Sequence, residues 1–262
     1  MSDFRGTALA ALRTEIAALE AAGRGRAGVL PFGDPAIDGR LPGGGLPLGC
    51  WHELCGAGLE TEAGAAPAAF AALMAAPLAA RGEAVWVFRR DDLFAPGLTG
   101  LGFPAERLIQ VCARDEAEAL AVMEDALSAV GVAAVIGEVE AVDLTAGRRL
   151  QLACERRGGA GFLIHRRPFG GAARRATAGS AAATRWRVAS APSAPPANEF
   201  GLGAPRFEVE LERCRGGRTG AFLIEAGAAY SWEARHGPHP LRLVADLGDR
   251  HLAPAESDRR AA

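Results

Sequence analysis

Not one of the 262 residues is lysine: all 29 basic side chains are arginine, so no reaction here runs through a lysine amine. The five cysteines, Cys50, Cys55, Cys112, Cys154 and Cys214, are odd in number, widely spread and without a C-x-x-C pair. That pattern argues against a disulfide framework or a zinc site and for buried free thiols in a reducing compartment. No apolar run approaches the ~18 residues of a membrane span, and the N-terminus "MSDFRGTALAALRTE" has neither the basic start nor the apolar centre of a signal peptide. A cytoplasmic protein with no membrane contact is expected. There is no G-x-S-x-G elbow, and the few histidines lie near no Ser or Cys nucleophile pattern. "HGPHP" places His236 and His239 around a Gly-Pro that forbids helical presentation of both to one metal. No cofactor and no metal are expected.

What is present suits a globular chain: 49% hydrophobic residues, 23% charged and a net charge of −2, which exerts no global pull on nucleic acid. Leu9, Leu12, Ile16 and Leu19 recur at helical spacing and predict an amphipathic helix from Thr7 to Ala22. Its stripe suits either the chain's own core or another subunit or partner. A glycine- and proline-rich connector follows, "LPFGDPAIDGRLPGGGLPLG" from Leu30 to Gly49. Strands and helices then alternate. Strands are predicted at Cys50 to Cys55, Ala84 to Phe88, Ala105 to Val111, Ala133 to Val139 and Gly161 to His165, with helices at Ala63 to Ala80, Glu116 to Ala129 and Leu144 to Arg156. This order implies βαβ crossovers and a mostly parallel sheet. Beyond Thr184, "TRWRVAS", "RFEVELERCR" and "GAFLIEA" are strand-like runs separated by turns, which extend the sheet in antiparallel fashion. We expect a helix and linker over 1–28, a core domain over 29–250 and a tail over 251–262.

Within the core, "HELCGAGLETEAGAAPAAF" has the outline of a phosphate-binding loop: a strand, a glycine, a small-residue turn and a helix. Its chemistry is missing. Gly56 is in place, but Thr61, Glu62 and Ala63 stand where Gly-Lys-Thr is required, and Glu62 brings a carboxylate to where an ammonium would meet phosphate. The order of parts resembles the RecA family core, a phosphate-loop NTPase scaffold, from about Leu30 to Ala226. The quoted connector, together with "RCRGGRTGAF" (Arg213 to Phe222), resembles the ImuA family of inducible mutagenesis proteins from bacterial translesion-synthesis operons. That resemblance implies a RecA-like α/β fold with a degenerate nucleotide site. Arg89-Arg90 would stand near the position of the RecA catalytic glutamate, and Glu138 at that of a magnesium-binding carboxylate. It further implies a non-enzymatic accessory role in SOS-induced translesion synthesis, alongside an ImuB-like Y-family protein and a DnaE-type error-prone polymerase. Association with RecA or with itself is also in view. The rival readings are a SulA-like division inhibitor and a RecA-like DNA-binding ATPase.

One charge cluster stands out. Between Glu155 and Glu199 there is no acidic residue, while Arg166, Arg167, Arg174, Arg175, Arg185 and Arg187 fall in or beside "RRPFGGAARRATAGSAAATRWR". The arginines offer phosphate contacts, and Phe169 and Trp186 offer stacking surfaces for unpaired bases, which together predict a mobile loop for single-stranded DNA or a polymerase partner. A solvated loop with an arginine-rich composition is the alternative.

Overall fold

The computed structural model describes residues 28–58, 64–166, 180–195, 201–227 and 241–248. The predicted N-terminal helix, the tail, Thr61, Glu62, Ala63, Arg167, Phe169, Arg174 and Arg175 lie outside the described residues. Among the described residues no helix is long and apolar enough to cross a membrane.

The connector folds first into a small capped unit. β1 (Val29–Leu30) pairs antiparallel with β2 (Leu46–Pro47), and between them lies the single turn α1 (Pro35–Asp38). Asp34 caps α1 by accepting from Ala36 N at 2.8 Å, with Pro35 preset for the first helical position. Asp38 reaches back to accept from Phe32 N at 2.7 Å and Gly33 N at 2.9 Å. Gly45 is required here, because a Cβ would lie 2.8 Å from the Leu30 carbonyl.

The core chain continues as β3 (Trp51–Gly56), α2 (Ala65–Ala79), β4 (Glu83–Phe88), α3 (Ala95–Thr99), a 3-10 turn (Ala105–Arg107), β5 (Leu108–Cys112), α4 (Glu116–Ser128), β6 (Val132–Val139), α5 (Leu144–Arg157), β7 (Ala160–His165), β8 (Thr184–Ala191), β9 (Arg206–Cys214), β10 (Gly220–Ala226) and β11 (Leu241–Gly248). One nine-stranded sheet runs β11-β10-β9-β8-β3-β7-β6-β4-β5. The pairs joining β8, β3, β7, β6, β4 and β5 are parallel, and those joining β8, β9, β10 and β11 are antiparallel. The expected mixed α/β architecture, mostly parallel with an antiparallel C-terminal extension, is therefore observed.

Helices cover both faces. α2 is buried around nearly its whole circumference, as an Ala-, Leu- and Phe-rich helix without a polar face must be. It shares one core cluster with the sheet face of Leu54, Trp86, Ile136, Phe162 and Trp186, and with Leu30, Phe32 and Ile37 of the connector. α4 and α5 carry exposed polar faces and pack on the opposite side, around Trp51, Val87, Val135 and Leu163. Each begins at an aspartate cap, Asp115 to Glu118 N and Asp143 to Ala146 N. α5 stops at Gly158, whose φ of 74° is the left-handed conformation favoured at helix ends.

Candidate functional site

In an open parallel sheet ligands gather at the carboxyl ends of the strands, and most of the described polar candidates converge there. Arg166, the residue after β7, is held by its backbone N donating to Val139 O at 2.8 Å. Its guanidinium grips two carboxylates. Nη2 and Nη1 donate to the Asp92 oxygens at 2.6 and 2.8 Å, and Nη1 also reaches Glu138 Oε2 at 2.6 Å. The other oxygen of Glu138 accepts from Trp86 Nε1 at 2.9 Å. Glu138 is only 5% exposed, and burial pushes its carboxyl above the ordinary range against the pull of Arg166 and Trp86. Beside it Arg90 lies 3.6 Å from Asp92, and Arg89 lies 3.3 Å from Glu140. The carboxylate standing where the resemblance implied a magnesium ligand thus has both oxygens taken by internal donors.

A second cluster occupies the other face of the sheet. Glu53 of β3 accepts from Arg185 Nε at 2.7 Å, lies 3.4 Å from His165 Nε2, and is hydrogen-bonded by Ser180. Burial raises this carboxyl, but the His165, Ser180 and Arg185 contacts outweigh it and hold Glu53 below its ordinary range. Its sequence neighbour His52 points the opposite way, as alternation along a strand requires. The His52 ring stacks on Phe162 at 5.5 Å, with Nδ1 2.7 Å from Thr184 Oγ1 and Nε2 3.0 Å from Pro47 O. Trp186 Nε1 donates to the same Thr184 hydroxyl at 2.7 Å. A single proton order satisfies the chain: Trp186 donates to Thr184, Thr184 to His52 Nδ1, and His52 Nε2 to the Pro47 carbonyl.

These contacts revise the predicted basic surface. Trp186 is fully buried between Phe32 and Phe70, with ring centroids 5.9 and 5.8 Å away, so no base can stack on it. Arg185 and Arg187 lie within β8 rather than on a loop: Arg185 is bound to Glu53, and Arg187 reaches Glu212 at 2.6 Å and Glu210 at 3.9 Å. Each of the three described candidate arginines, Arg166, Arg185 and Arg187, is thus matched by carboxylate. Gly56 is the last residue of β3.

The two motifs that carry the family resemblance meet in space. Arg40, from the connector, donates through Nη1 to Thr219 O at 2.7 Å and through Nη2 to Asp246 at 3.1 Å, with its guanidinium 5.5 Å from the centre of the Phe222 ring. Arg218 N returns a bond to Arg40 O at 2.8 Å. A Cβ on Gly217 would sit 2.3 Å from Arg40 O, and one on Gly220 2.7 Å from the Arg40 guanidinium, which explains Gly217 and Gly220 of "RGGRTGAF". All five cysteines are free, and burial pushes the Cys55 thiol to about 12 and Cys214 to about 11, which disfavours the reactive thiolate at both. Among the described residues no cluster of three His, Cys, Asp or Glu side chains is placed to hold a metal.

Fold and site together define a mixed α/β protein whose strand-end arginines are neutralised from within. No family model matches the chain. It is 61% identical over 247 residues to Protein ImuA of Caulobacter vibrioides NA1000/CB15N, a match covering 92% of this chain and 99% of that relative. The same values hold for Protein ImuA of the strain ATCC 19089/CB 15. The chain belongs to the ImuA family.

Proposed function

We propose that this chain is a non-catalytic accessory protein of inducible, error-prone translesion DNA synthesis, acting with an ImuB-like Y-family protein and a DnaE-type polymerase. The observation that carries the proposal is 61% identity to Protein ImuA over nearly the whole of both chains. The same reading gives the molecule a RecA-like scaffold with a degenerate nucleotide site. Three features support it. β3 leads through a short connection into a buried helix, the layout of a phosphate loop. The chain has no lysine to meet a phosphate. Glu138 is buried, and each of its oxygens already accepts from an internal donor, Arg166 or Trp86, which competes with magnesium.

In this reading DNA contact falls to Arg167, Arg174 and Arg175, since Arg185, Trp186 and Arg187 are engaged within the fold. The test is genetic and biochemical at once. Deleting the gene should lower damage-induced mutation to the level of a strain lacking the polymerase partner, and an assembly of the three purified proteins should fail to form without this chain. Undiminished mutagenesis in the deletion strain would refute the role.

A further inference from the structure

The two edges of the sheet are treated differently. β11, at one edge, carries Arg242 and Asp246, is offset from β10 by two register shifts and ends on Gly248. Charges and irregular register of this kind keep an edge from pairing with other chains. β5, at the other edge, has none of these. Its sequence is Leu-Ile-Gln-Val-Cys, it pairs with β4 without a register shift, and among the described residues β4 is its one neighbour. Ile109 is 47% exposed, and Gln110 and Cys112 are exposed beside it.

We propose that β5 is a homotypic docking edge, at which a second copy of this chain adds its own β5 antiparallel across a two-fold axis through Gln110. Ala113 N donates to Phe88 O at 2.8 Å. Backbone groups alternate along a strand, so Ile109 and Val111 also direct theirs to β4, while Leu108, Gln110 and Cys112 direct theirs outward. An axis through Gln110 sets Leu108 opposite the second copy's Cys112 and Gln110 opposite Gln110. Every outward residue then meets an outward residue, the arrangement in which antiparallel pairs exchange both hydrogen bonds. Ile109 meets Val111 on the α4 side, a β-branched cross-strand pair.

The flanks are also complementary. Glu106, just before β5, comes opposite Arg114 of the other copy, which lies just after it. Arg114 is 84% exposed and already directs its Nε to Glu118 at 3.0 Å, so it meets Glu106 without being drawn from the core. A charge at position 110 would face itself as a like charge across the axis; Gln110 is uncharged. The proposal is independent of the accessory role above.

The full-length protein tests it. Sedimentation velocity over a concentration series should show a reversible dimer. Gln110→Lys, which sets two ammonium groups face to face on the axis, should weaken association by at least about tenfold while the melting temperature at concentrations low enough to be monomeric is unchanged, because position 110 is exposed. In a Cys112→Ser background, Gln110→Cys should form a disulfide-linked dimer on mild oxidation, since opposed residues of that type lie ~5.5 Å apart at Cα, within disulfide reach. Ile109→Cys, which faces Val111 instead of itself, should link far more slowly. A protein monomeric at every concentration, or a dimer indifferent to Gln110→Lys, overturns the proposal. So does a β5 whose amides gain exchange protection only when an ImuB-like protein is added, which would give the edge to a different chain.

Discussion

Arg166 is the residue on which the strand-end cluster depends. Truncating it to alanine leaves Glu138 buried with its bond from Trp86 but without the arginine charge, and Asp92 without the bidentate contact, and uncompensated buried charge of this kind costs ~3 kcal/mol or more. Urea unfolding of Arg166→Ala should show that loss. Adding Glu138→Gln should restore part of it, since the second change removes the stranded charge; a double mutant no more stable than Arg166→Ala would show that the two residues do not act as a pair. Glu53 answers to pH in the opposite sense to Glu138. Its folded carboxyl is held below the ordinary 4.5, so its contribution is present above that value and lost as pH falls through the depressed one. Glu138, raised by burial, contributes below the ordinary range and loses that contribution as pH rises through its elevated value. Glu53→Gln should therefore flatten the acid limb of the stability curve by up to ~1.4 kcal/mol per pH unit, one proton's worth. Parallel acid limbs for the two proteins would remove Glu53 from this role. At this scale the sequence was partly legible. The alternation that turns Phe207, Val209 and Leu211 inward also puts Trp186 with Thr184 and Val188, and it would have placed Trp186 in the core. The partners of the arginines were not legible: Asp92 is 74 residues from Arg166 and Glu53 is 132 from Arg185, separations no local pattern encodes.

Elements were easier to read where burial imposes a period. α4, expected from Glu116 to Ala129, spans Glu116–Ser128, and α5, expected to end at Arg156, ends one residue later against Gly158. β11 was not anticipated, because as an edge strand it buries no residue deeply and its "LRLVADLG" reads like a surface segment. The connector, readable only as glycine- and proline-rich, is a capped turn bolted to the β9–β10 hairpin by Arg40. That fixing rests on fork geometry, because separate nitrogens reach Thr219 O and Asp246. Arg40→Ala should cost ~2 kcal/mol, two hydrogen bonds at ~1 kcal/mol each, and should speed hydrogen exchange across residues 216–219. Arg40→Lys should recover little of either. Full recovery by lysine would mean that charge alone holds the connector.

Over the whole molecule, internal ion pairs occupy the strand ends of this ImuA-family protein, the ends at which, on the reading proposed above, a RecA-like scaffold would handle nucleotide. On that reading the loop position of the phosphate-binding lysine carries Glu62. At contact distance Glu62 would repel a phosphate by roughly 1–4 kcal/mol per pair of unit charges, depending on the local dielectric. A calorimetric titration of the full-length protein with ATP and magnesium tests this most directly. The account predicts no binding in the micromolar range; saturable submicromolar binding would contradict it.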